Sequence, residues 1–73
     1  MKGNFLVSKK KWSVDTDWDD GPITETPVAS RSKASELAAE ESRQPGARGT
    51  AVWRGTTMAE LWENGSEVIG RYR

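Results

Sequence analysis

The sequence predicts an α+β domain: a small, mostly antiparallel sheet with one short C-terminal helix and a flexible middle segment. Three observations predict it. Residues 11–19 alternate between apolar or β-branched side chains and polar ones, the pattern of a half-buried strand. Thr57 stands three residues before Glu60, and Met58, Leu61 and Trp62 follow at helical spacing. Between these regions, 20–49 is rich in Pro, Thr, Ser and Gly and poor in large apolar residues. Residues 1–73 thus read as one small domain, with 20–49 a flexible or partly disordered connector.

Taken in order, Asn4–Ser8, with Phe5, Leu6 and Val7 at its centre, reads as a short strand or the start of the next ribbon. Trp12, Val14, Thr16 and Trp18 then share one face, opposite Lys11, Ser13, Asp15, Asp17 and Asp19. Asp19-Asp20-Gly21-Pro22 is a turn or strand stop. Residues 23–32 have only Ile23 and Val28 to bury and read as loop. From Ser35 to Arg43 the composition favours helix, but Leu37 is its only large apolar side chain. Propensity alone seldom holds so short a helix in water, so it is loosely docked or nascent. Pro45 and Gly46 end it. Thr50–Arg54 reads as strand, Gly55 breaks it, and the helix after Thr57 stops at Asn64-Gly65. Ser66–Tyr72 returns to strand.

Composition narrows the function classes. There is no cysteine and no histidine among 73 residues, so a Cys or His nucleophile, base or metal ligand is excluded. No disulfide can staple the chain, and a core this small contributes no more than roughly 3–5 kcal/mol unaided. No apolar run approaches the roughly 20 residues that span a bilayer, and the N-terminal residues do not read as a signal peptide. Eleven basic residues balance eleven acidic ones. That balance conceals a dipolar start: Lys2, Lys9, Lys10 and Lys11 precede Asp15, Asp17, Asp19 and Asp20. Neither a catalytic constellation nor a cofactor motif is present, so the composition points to a binding module rather than an enzyme.

Four tryptophans, Trp12, Trp18, Trp53 and Trp62, are the large rigid anchors. Two or three are expected in the core. One, Trp18 or Trp12, is expected to be exposed, where it would serve as an interface hot spot. Lys9-Lys10-Lys11 beside Trp12 suits a phosphate backbone with a stacked base, although three lysines in a solvated loop are the commoner case. The aspartates of 15–19 lack the converging oxygens of a calcium loop. They read as a solvated acidic face or an acidic docking surface for a basic partner.

The Met1-Lys2-Gly3-Asn4-Phe5-Leu6-Val7 start, the Lys9-Lys10-Lys11-Trp12 segment and the Arg71-Tyr72-Arg73 end resemble those of small RNA-polymerase-binding transcription regulators of lytic Xanthomonas phages. The resemblance implies a non-enzymatic protein of the host bacterial cytoplasm that docks on the β′ subunit of RNA polymerase near the RNA exit channel. It further implies inhibition of σ-dependent initiation, by σ displacement or allostery, and antitermination at intrinsic terminators. Phe5, Leu6, Val7, Lys9, Lys10, Lys11, Trp12 and Trp18 are then the candidate partner-binding residues, with the lysines near nascent RNA. A stand-alone nucleic-acid-binding module and a small virion assembly protein are the rival classes.

Overall fold

A computed structural model describes residues 11–69. Its elements are β1 (Trp12–Trp18), β2 (Thr24–Val28), α1 (Arg31–Ser42), β3 (Ala47–Arg54), β4 (Thr57–Glu63) and β5 (Ser66–Glu67). They form an α+β fold in which one antiparallel sheet, ordered β2-β1-β3-β4-β5, carries a single helix on one face. The helix is mid-chain, not C-terminal. It links β2 on one side of β1 to β3 on the other, so it must cross over the sheet.

β1 is where its alternation puts it. Val14 and Thr16 are fully buried beneath the helix, while Asp15 and Asp17 point to the opposite face. In the central pairing Val14 lies opposite Val52 and Thr16 opposite Thr50. These four residues, all inaccessible to solvent, form the sheet side of the core. Burying each valine contributes about 1.5–3 kcal/mol.

The helix side is made of small residues. Ala34 and Ala38 are fully buried and Ser42 almost so, allowing α1 to lie close on the valines. Ser30 caps the first turn with backbone in the extended region, its hydroxyl accepting from the Lys33 N–H at 3.3 Å. Polar bonds then fix both ends of the helix. Near its start, Arg31 and Ser35 donate to Glu60 on β4 at 2.8 Å each. Near its end, the Thr16 hydroxyl donates to Glu41. Its proton being used there, Thr16 accepts from Thr50, 3.2 Å away. The Ser42 hydroxyl accepts from the Gly65 N–H at 2.8 Å. A helix of low apolar content is thus held by apolar contact at its middle and hydrogen bonds at its ends.

Two expectations are corrected. The helix expected after Thr57 is strand β4. Its seven residues lie between two two-residue turns, Gly55-Thr56 and Asn64-Gly65, and pair with β3 along one edge and β5 along the other. Asn64 (φ 53°) and Gly65 (φ 80°) are both left-handed, the backbone of a type I′ hairpin turn rather than a helix stop. The 20–49 segment, read from the sequence as a connector, contains strand β2 and the twelve-residue helix α1. Second, the core is not built on enclosed tryptophans. All four are half-buried, and the fully enclosed side chains are the valines, threonines and alanines. An indole is too large to fit between a sheet and a helix that approach through Ala34 and Ala38. Trp12 and Trp62 instead pack at the margin of this cluster. At the C-terminal end the strand expected over Ser66–Tyr72 is β5, two residues long, and residues 70–73 lie outside the described residues.

Candidate functional site

The candidate residues Phe5, Leu6, Val7, Lys9 and Lys10 lie outside the described residues. Lys11, Trp12 and Trp18 lie within them but do not meet. Six strand positions separate the two tryptophans, about 20 Å. Lys11 is exposed, and its carbonyl accepts from the Gly55 N–H at 2.9 Å. Trp18 donates its indole N–H to the Thr24 hydroxyl at 2.9 Å, closing the β1–β2 end of the sheet.

Trp12 sits in a basic corner on the helix side. The guanidinium carbons of Arg31 and Arg54 lie 5.7 and 5.5 Å from its ring centroid. Either distance is within cation–π range. The corner opens into a hollow of about 460 Å³ lined by Trp12, Arg31, Arg54, Thr57 and Ala59. Arg31 is also held by Glu60, in an ion pair of 2.8 Å whose carboxylate is 6% exposed. Glu60 accepts from Arg31, Ser35 and the Trp62 indole. Burial pushes its carboxyl pKa up, but the hydrogen bonds from Trp62, Arg31 and Ser35, with the Arg31 charge, outweigh this and hold it below the ordinary value. Glu60 therefore stays ionised as the anchor of the helix.

The opposite face of the sheet carries a different arrangement. No described element covers it. Register places Glu25, Asp15, Ala51 and Leu61 in one row across four strands, Glu25 opposite Asp15, Asp15 opposite Ala51, and Ala51 opposite Leu61. The neighbouring row brings Ser13, Trp53 and Met58 together. At the other side of the first row, Asp17 is opposite Gly49, and a Cβ on Gly49 would stand 3.9 Å from Glu63 Cγ. A groove of about 330 Å³ runs over this surface, with Trp53, Leu61 and Ala51 as its apolar part and Ile23, 64% exposed, at its margin. Arg48 also lines it, but its guanidinium is bound to Asp19 at 2.8 Å. The Asp19 carboxylate, with Asp17 nearby, raises the Arg48 pKa.

Among the described residues, two buried polar atoms on this face have no hydrogen-bond partner: Asp15 Oδ1 and the Trp53 indole nitrogen. Burial raises the Asp15 pKa, and the like charge of Glu25 directly across the strand pair raises it further. The acidic half of this face was legible in the alternation of β1. Its apolar half was not, because Leu61 reaches it only once 57–63 is read as a strand.

Among the described residues, no group of three or more carboxylates converges as a metal site would, and no helix is long and apolar enough to cross a membrane. Searches of protein-family models, curated proteins and solved structures return no match for this chain.

Proposed function

We propose that this chain is a non-enzymatic docking module that acts as a phage-encoded regulator of host transcription. It binds the β′ subunit of bacterial RNA polymerase in the host cytoplasm, inhibits σ-dependent initiation and promotes readthrough of intrinsic terminators. The observation that carries the docking part is the uncovered sheet face, an aromatic and aliphatic groove inside an acidic surround. Apolar centre and polar rim are the anatomy of a protein-binding patch. The choice of polymerase rests on the resemblance of the chain's two ends and its lysine segment to such regulators.

The experiment is co-elution of the purified protein with RNA polymerase core and with σ-bound holoenzyme on a sizing column. Co-elution with loss of σ is the expected result. Retention of σ would move the mechanism from displacement to allostery. Absence of co-elution with the cognate host enzyme would overturn the polymerase reading.

A second reading has its own observation. The corner where Arg31 and Arg54 flank Trp12 suits stacking on a single-stranded nucleic acid with phosphates nearby. On polymerase it would meet nascent RNA; acting alone it would make the chain a nucleic-acid-binding module. Binding to RNA without polymerase, weakening steeply with added salt, identifies the stand-alone case.

A further inference from the structure

We propose that the groove on the uncovered sheet face, with Trp53 and Leu61 in it and Asp15, Asp17, Glu25 and Glu63 around it, takes an extended, basic segment of a partner protein. This deepens the docking reading above and rests on it. The assigned contacts are a lysine or arginine of the partner at Asp15 and a backbone carbonyl of the same segment at the Trp53 indole N–H.

Charge complementarity selects the occupant. Asp15 and Asp17 line the groove with Glu25 directly beside Asp15, and Arg48, the one cation lining it among the described residues, is already bound to Asp19. An acidic or purely apolar partner would leave those carboxylates desolvated without compensation. The two unpartnered atoms specify the pairing more closely. Asp15 Oδ1 needs a donor and the Trp53 nitrogen needs an acceptor. An extended chain supplies both, a cationic side chain and a carbonyl, within the breadth of two strands. The stem of a lysine or arginine also suits the apolar floor between them.

The free protein bears the cost of this arrangement. Asp15 faces Glu25 across the β1–β2 pair, where like charges destabilise a sheet. Burial of Asp15 adds to that, as its raised pKa reflects. A local arrangement that opposes stability, on the face that no described element covers, is expected where a ligand compensates it. The basic corner at Trp12 lies on the other side of the sheet, so a bound segment leaves it accessible.

The test follows the four indole N–H resonances of the full-length protein by NMR. The probe is a synthetic peptide of alternating lysine and valine, with a glutamate–valine peptide as control. The lysine peptide is expected to move the Trp53 resonance most and leave Trp12, Trp18 and Trp62 near their free positions. Equal movement of all four, or a largest shift at Trp12, overturns the proposal. Concentration-dependent movement of Trp53 without peptide assigns the face to a second copy of the chain and also overturns it. In parallel, Asp15→Asn with Asp17→Asn, and separately Leu61→Lys, are assayed for retention by polymerase after circular dichroism confirms the fold. At least tenfold weaker retention is expected for both. Undiminished retention overturns the proposal while leaving the polymerase reading intact. If the unaltered protein is not retained by polymerase, that reading fails, and the Trp53 shift still decides the docking face.

Discussion

Glu60 and Asp15 are two carboxylates of one sheet in opposed situations. Glu60 faces the helix with three side-chain donors, so its pKa falls despite burial. It contributes stability above its ordinary value of 4.5, and that contribution is lost as pH falls through the lowered folded value. Glu60→Gln is expected to cost about 2 kcal/mol, since hydrogen bonds to a charged group contribute roughly 1.5–3 kcal/mol. In a domain of this size that is a fall in Tm of about 8 °C or more, seen by thermal melts at pH 7, and the acid-side slope should flatten. Asp15 has the reverse sign. With its folded pKa raised, its ionisation opposes folding increasingly as pH rises from its ordinary 3.8 through the folded value. Asp15→Asn should therefore stabilise the free protein at neutral pH by about 0.2–1 kcal/mol, measured as a higher Tm. A fall in Tm on this substitution would mean that the Asp15 carboxylate is compensated in the free fold.

At the scale of elements, the hairpin β4–β5 depends on its turn. Gly65 has φ 80°, and its N–H is bound to Ser42 at the end of the helix. A Cβ there would stand 2.6 Å from Arg43 Cγ. Arg43 is exposed and can swing away, so backbone strain dominates the expected penalty. Gly65→Ala should cost about 1–2 kcal/mol, the price of a left-handed backbone for a residue with Cβ. Urea titration of the variant checks this, and an unchanged midpoint would show that the turn does not need that conformation. The same turn explains why the pattern of 57–63 is ambiguous. Thr57 and Glu60 fit a capping box, and Met58, Leu61 and Trp62 fit a helical stripe, but seven residues make only two helical turns. Pairing along both edges instead satisfies most backbone groups at once, and tertiary context prevails over so weak a helical preference. The α1 helix was understated for a related reason. Its sheet-facing positions, Arg31, Ala34, Ser35, Ala38, Glu41 and Ser42, keep helical spacing but are small or polar, and Leu37 is the one large apolar residue of the helix that packs beside them. A search for apolar periodicity passes over such a stripe, whereas one for small and polar residues at the same spacing finds it.

For the whole molecule, the helix crossover ties the hairpin β1–β2 to the meander β3–β4–β5, so neither part of the sheet has a core of its own. Val14 and Val52 come from the two halves and bury each other under Ala34 and Ala38. Val52→Ala should cost about 1.5–3 kcal/mol. It should lower the tryptophan-fluorescence and far-UV dichroism transitions together, as one cooperative unit requires. Separated transitions would show that the halves unfold independently. The two faces of the sheet divide the chemistry. The helix side has the core, the Glu60 bonds and the basic corner at Trp12, and the other side has the acidic, apolar groove assigned to a partner.

The sequence by itself determined the α+β class, strand β1 with its acidic face, the turn at 19–22, and the lack of cysteine and histidine chemistry. These are local properties: period-two alternation sets which way each side chain of a strand points, and composition limits which reactions are available. Only the tertiary structure decided that 57–63 is a strand, that a helix rich in alanine and serine covers one face, and that all four tryptophans are half-buried rather than enclosed in the core. Each of those depends on partners distant in sequence. Leu61 joins Asp15 on one surface because β3 lies between their strands, a neighbour relation that no spacing within either segment contains.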